Sequence, residues 1–171
     1  SSLIFVDRMK RLGFEAVHID ARKCLVTDDH FGKAAPLMEP TTARLEEAAR
    51  AHLNAGKVVV MGGYIGATLS GITTTLGRGG SDYTAAIAGA ALNAEEIQIW
   101  TDVDGMMTTD PRIVPGAWKV RDISFDEASE LAYFGAKVLH PLTVLPAVEK
   151  NIPVLILNSR KPKGTGTRIT K

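Results

Sequence analysis

Residues 57–63 read KVVVMGG, an apolar run from Val58 to Met61 that stops abruptly at two glycines. A stretch apolar at every position, not at every second one, predicts a strand covered on both faces, as in a parallel sheet. Parallel strands cannot be joined by a tight turn; they need a crossover, usually a helix. The flanking sequence supplies helices of that kind. Thr41 or Thr42 stands where an N-cap is expected before ARLEEAARAHLNA, which Gly56 ends, and the alanine-rich stretch from Ser81 to Ala94 is helical. Leu3, Val6, Met9 and Leu12 recur at intervals of three, giving one face of a short helix stopped by Gly13.

Further strands are expected over Phe14 to Ile19, Cys24 to Thr27, EIQIW and IPVLIL. Ser124 and Glu127 have capping-box spacing, so a helix should start there and run to about Phe134, with Gly135 ending it. His140-Pro141 opens another helical stretch to Lys150, bent or restarted at Pro146, and KPKGTGTRITK reads as an exposed tail. Strands alternating with helices predict an α/β layered fold with a mainly parallel sheet and right-handed crossovers. Ligands of such sheets bind beyond the carboxyl ends of the strands, which directs attention to the loops after Met61 and after Trp100.

Composition narrows the function classes. The 171 residues are 45% hydrophobic and 23% charged, which excludes disorder as the main state. Twenty Lys and Arg against 19 Asp and Glu leave a net charge of +1, without the basic field of a dedicated nucleic-acid binder. No apolar run is long enough for a membrane span, and the charged start SSLIFVDRMKRLG is not a signal peptide. Cys24, the single cysteine, allows no internal disulfide or cysteine-rich zinc site; it fits a reducing cytoplasm and reads as a buried strand residue, not a nucleophile.

The loop after Met61 is GGYIGATLSGITTTLGRGGSDYTAA. Its glycines let backbone N–H groups approach an anion, and Ser81 is placed as N-cap of the next helix, whose free N–H groups favour negative charge. Arg78, flanked by glycines directly before that cap, has the planar fork that binds a carboxylate or phosphate bidentately. An anion site is a better account of this loop than a merely flexible glycine-rich turn. Neither GxxxxGK[ST] nor a strand-to-helix GxGxxG occurs, which argues against P-loop and dinucleotide-fingerprint architectures.

The second loop, WTDVDGMMTTDPR, has Asp102 and Asp104 two residues apart, suited either to Mg²⁺ or to a ribose, with Arg112 available for phosphate. Taken alone, an acidic turn punctuated by Asp-Gly and Asp-Pro is the simpler account, and a calcium loop fails because Pro115 stands where its bidentate Glu belongs. In FGAKVLHP, Lys137 complements a helix C-terminus by default, and His140 has a packing or capping role.

Together, TTTLGRGGSDYTAA, IQIWTDVDGMMTTDPR, ELAYFGAKVLHP and IPVLILNSRKPKGTGT resemble aspartate kinase, a member of the amino acid kinase family; the match runs in family order through the chain and includes GYIGAT and VTDD. The resemblance implies a three-layer αβα sandwich that transfers the γ-phosphoryl group of ATP to the side-chain carboxylate of L-aspartate, with Mg²⁺ bound through the ATP phosphates. It implies that Arg78 and Ser81 hold the aspartate carboxylates with Tyr64 nearby, and that Asp82 orients the active-site lysines. Thr101 and Asp102 would contact the nucleotide, with Arg112 and Lys137 reaching ATP and its phosphates. Met107 stands where some members carry a nucleotide-contacting Tyr, so only backbone or apolar contact carries over there.

No KFGGTS-type strand and loop occurs, nor an SxGE-type segment, nor the family's regulatory ACT modules. The resemblance therefore implies the C-terminal portion of a kinase catalytic domain over 1–160, a linker over 161–171, a homo-oligomeric parent in the cytoplasm, and little turnover by these residues alone. The competing readings are another amino acid kinase relative, such as glutamate 5-kinase or uridylate kinase, and a nucleotide-binding or subunit fragment.

Overall fold

The computed structural model describes residues 1–109, 113–133 and 144–171. They gather into two compact units, Ser1–Thr84 and Ala85–Lys171. Among the described residues no helix is long and apolar enough to cross a membrane.

The first unit runs α1 (Ser2–Arg11), β1 (Ala16–Ile19), α2 (Ala21–Cys24), β2 (Val26–Thr27), α3 (Met38–Asn54), β3 (Val58–Met61), β4 (Ile65–Thr68) and β5 (Thr73–Thr75), then enters α4 (Gly80–Leu92). β1 pairs with β3 in parallel, Ala16 opposite Val58. β2 pairs with β4 in parallel, and β4 turns back on β5 as an antiparallel hairpin. Leu25, Val26 and Leu45 are fully buried at its core, where their removal from water contributes about 1.5–3 kcal/mol each.

Three expectations for this unit need correction. The run KVVVMGG does form a strand, but among the described residues β3 pairs only with β1, Val58 is 38% exposed and the other strand residues are half-buried. Second, α3 begins at Met38, and its N-cap residue Leu37 makes no side-chain bond. Thr41 lies inside the helix, fully buried; its Oγ1 accepts from the Val26 N–H at 3.0 Å and donates to the Val26 carbonyl at 3.1 Å. It satisfies the buried N–H of a strand residue whose carbonyl also accepts from the Leu37 N–H at 2.8 Å, a larger gain in the interior than one more cap at an exposed helix end. Pro40 is tolerated because it falls in the first turn.

Third, the stretch expected as one strand is divided. Cys24, expected to begin the strand, ends a helical turn (Ala21–Cys24) capped by Asp20, whose carboxylate accepts from the Arg22 N–H at 3.0 Å; Leu25 is extended, and Val26–Thr27 is the part that pairs as β2. Cys24 is buried as expected, though on α2, and burial pushes its thiol up.

The second unit holds the rest of α4, then β6 (Ile97–Thr101), β7 (Asp122–Ser124), α5 (Phe125–Tyr133), α6 (Leu145–Lys150), β8 (Val154–Asn158) and β9 (Thr167–Thr170). Its sheet has the order β6-β8-β9-β7. β6 is parallel to β8 and β7 to β9, whereas β8 and β9 are antiparallel. Ile97, Ile99, Val154, Ile156 and Ile169 point from this sheet into a core shared with Met106, Phe125 and Ala147.

The capping box forms as expected. The Glu127 carboxylate accepts from the Ser124 N–H at 2.9 Å, and the Ser124 oxygen accepts from the Glu127 N–H at 3.2 Å. α6 starts at Leu145 with Pro146 in its first turn, so the proline opens the helix and does not bend it. The tail is the larger correction. Residues 161–165 are exposed, but Thr167 and Ile169 are fully buried, and β9 lies between two other strands. Alternation in TRIT sends Thr167 and Ile169 to the core and leaves Arg168 exposed.

Candidate functional site

The first group of predicted site residues sits in the first unit, where β3 gives way to the glycine-rich loop. Gly62 and Gly63 lead to Tyr64, which adopts φ +76°, a left-handed conformation unusual for an aromatic residue. Its N–H donates to Thr84 Oγ1 at 3.0 Å, and its carbonyl accepts from the Leu76 N–H at 3.0 Å. Thr84 Oγ1 in turn donates to the Gly80 carbonyl at 2.7 Å. These bonds hold a conformation that costs about 1–3 kcal/mol, and such strain concentrates where a ligand is gripped.

The Tyr64 ring lies over the start of α4: a Cβ on Gly80 would stand 2.8 Å from Tyr64 Cδ2. Gly63 is also closely packed, since a Cβ there would stand 3.1 Å from the Ser81 Cα. Tyr64 and Ser81 are thus brought together. α4 begins at Gly80, so Ser81 lies in the first turn and not at the cap; its hydroxyl donates to Asp82 Oδ1 at 3.4 Å. Burial raises the Asp82 carboxyl above its usual range, and the Ser81 bond opposes the shift.

Arg78 is exposed and has no hydrogen-bond or ion-pair partner among the described residues. A guanidinium without a partner, two residues before the positive end of a helix, is equipped to receive an anion.

The second group sits at the carboxyl edge of the second unit's sheet. Thr101, the last residue of β6, is level with Asn158, the last of β8. The Thr101 hydroxyl donates to Asp102 Oδ1 at 3.3 Å, and Asp102 is exposed. Asp104 is not a second free carboxylate: it accepts from Asn158 Nδ2 at 2.6 Å and from Lys161 Nζ at 2.7 Å. The Lys161 bond, then the Asn158 bond, hold its carboxyl below the usual range. An Asp102/Asp104 pair open to a metal or a ribose is therefore not what the fold presents.

Gly105 follows with φ +128°, and a Cβ on it would stand 2.5 Å from Thr167 Oγ1, so the turn excludes larger residues twice over. The Met106 N–H donates to Thr167 Oγ1 at 2.8 Å, and half-buried Met107 bridges to Lys119. Arg112, Lys137 and His140 lie outside the described residues. Among the described residues no three His, Cys, Asp or Glu side chains gather as a metal site.

Sequence reasoning does not single out Asn158, Lys161 or Thr167, which shape the second loop: Lys161 and Thr167 lie in the stretch expected as a tail, and Asn158 ends the strand before it. The signal that could have found them is the alternation in TRIT, which marks a strand, following a second strand that ends in Asn.

Comparison with known proteins agrees with this architecture. The amino acid kinase family model matches residues 3–158. The chain is 48% identical to lysine-sensitive aspartokinase 3 of Escherichia coli, covering 99% of this chain and 37% of that protein. It is 44% identical to the chloroplastic aspartokinase 2 of Arabidopsis thaliana, over 100% of this chain and 32% of that one. The solved structure of E. coli aspartokinase III in complex with aspartate and ADP superimposes with a TM-score of 0.91 at 44% identity, over 99% of this chain and 38% of that one. The chain thus spans about a third of the length of the relatives it matches. With a family match through most of its length and the mixed, parallel-rich α/β fold, this chain belongs to the amino acid kinase family.

Proposed function

We propose that this chain forms part of the catalytic domain of an aspartate kinase, which transfers the γ-phosphoryl group of ATP to the side-chain carboxylate of L-aspartate, the entry to lysine, threonine and methionine biosynthesis. The observation that carries this reading is 48% identity to a lysine-sensitive aspartokinase across 99% of the chain. Arg78 beside α4, unpartnered among the described residues, and strained Tyr64 support it.

In the reaction a carboxylate oxygen of aspartate bonds to the γ-phosphorus, the bond to the β,γ-bridging oxygen breaks, and ADP leaves with the electron pair. The nucleophile is already ionised at neutral pH, so no general base is required. Catalysis then consists of bringing two anions into line and stabilising the charge between them. Arg78 and Ser81 anchor the aspartate carboxylates, with Tyr64 as the flanking wall, and Asp82 orients the cationic groups. Thr101, Asp102 and Met107 contact the nucleotide, and Arg112 and Lys137 reach its phosphates. Mg²⁺ held on those phosphates supplies further charge neutralisation. The whole enzyme is a cytoplasmic homo-oligomer in this reading.

The test is Arg78→Lys, followed by calorimetric titration with L-aspartate and separately with ATP. Loss of the bidentate fork should weaken aspartate by about tenfold or more while ATP changes by less than about twofold. Equal losses for both ligands would sink the assignment.

A further inference from the structure

We propose that Asp104, Asn158 and Lys161 form a clamp that fixes the loop after β6 in the shape that receives the nucleotide, with Asp104 as its positioning residue. The inference rests on the nucleotide role given above to Thr101, Asp102 and Met107.

β6 and β8 are parallel and in register to their last residues, so both chains leave the sheet at the same edge. The two exits are fastened together. The Ser159 N–H and hydroxyl both donate to the Thr101 carbonyl, at 2.8 and 3.0 Å. Beyond that point the loop would be free to swing, but Asp104 is caught from two sides by Asn158 and Lys161. The orientation of Asn158 is itself fixed. Its Oδ1 accepts from the Arg160 N–H at 2.8 Å, which leaves its Nδ2 facing Asp104, and the residue is only 8% exposed. On the far side of Gly105, the Met106 N–H is held by Thr167.

The segment carrying Asp102 is thus tied down both before and after. Lys161 also neutralises the Asp104 carboxylate, a negative charge that would otherwise repel a polyphosphate arriving at this edge. The Asp104 and Lys161 side chains are 46% and 67% exposed, so solvent screening keeps the ion pair weak. The clamp acts by geometry more than by stability.

The experiment measures ADP and adenosine affinity by calorimetry for the full chain and its Asp104→Ala, Lys161→Met, Lys161→Arg and Asp104→Ala/Lys161→Met variants. Hydrogen exchange of the peptide covering residues 101–109 is followed without ligand. A positioning role predicts faster exchange in Asp104→Ala and about fivefold weaker binding of ADP and adenosine alike. Lys161→Arg should bind as the parent does, and the double variant should be no weaker than Asp104→Ala alone. Weakening confined to ADP in Lys161→Met, with Asp104→Ala unchanged, would make Lys161 a direct phosphate ligand and overturn the clamp. Exchange and affinity both unchanged in Asp104→Ala would overturn it too. Failure of the parent chain to bind either ligand would overturn the site assignment and this inference with it.

Discussion

Thr167→Val swaps a hydroxyl for a methyl at constant shape in the interior of the second unit, and its effect follows from the bonds it removes. Thr167 is fully buried; its Oγ1 accepts from the Met106 N–H at 2.8 Å and donates to the Val120 carbonyl at 2.5 Å. Valine leaves no cavity, so the loss comes from two backbone groups left without a partner, at about 1–3 kcal/mol each. Met106 is fully buried and has no access to water, whereas Val120 is half-buried and recovers part of its loss from solvent. The expected total is about 2–4 kcal/mol. Thr167→Ser keeps both bonds and removes one methyl, for about 1 kcal/mol. Urea unfolding of the two variants and the parent, with unchanged m-values, measures the difference. If serine destabilises more than valine, packing and not hydrogen bonding holds this residue, and the reasoning fails.

Two further outcomes are expected. The Arg22 side chain, with lesser help from its own N–H and from the charges of Arg22 and Lys23, holds the Asp20 carboxyl at about 2, against an ordinary value near 4 when unfolded. Its stabilising contribution is therefore complete above about pH 4 and disappears as pH falls towards about 2. Asp20→Asn should flatten the acid limb of stability in that window, measured by urea unfolding at a series of pH values; an unchanged slope would refute it. Thr41→Val leaves the Val26 N–H without its partner, while the Val26 carbonyl keeps the Leu37 N–H at 2.8 Å; stability should fall by about 1–3 kcal/mol, whereas Thr42→Ala, which removes the alternative cap residue, should change it by less than about 0.5 kcal/mol.

The fold class was legible wherever pattern and local chemistry agreed. EIQIW and IPVLIL became β6 and β8, and the Ser124/Glu127 box opened α5, because each signal lies within a few residues. Thr41 misled because its partner, Val26, is fifteen residues away, and no local rule weighs a tertiary bond against a cap. The β9 strand was hidden by the lysines and glycines before it, which read as a tail.

The site divides in the same way. Arg78 stands out by its glycine neighbours, whereas Thr101 enters only through the family resemblance. The partners of Asp104 lie 54 and 57 residues further on, and the left-handed backbone of Tyr64 is set by Thr84, so neither could be read from spacing.

The place of β9 also has a consequence for synthesis. β7 pairs with β9 and with no other described strand, so residues 122–124 have nowhere to dock until residues 167–170 exist. A chain growing from its N-terminus can close the β4–β5 hairpin as soon as both strands are made, and can pair β1 with β3 once α2, β2 and α3 have followed β1. The second sheet must wait for its third position to be filled by β9, the latest of its four strands in chain order. Until then Ile123 and Ile156 lack the buried neighbour Ile169, and the nascent second unit presents an unpaired apolar edge to whatever meets it first.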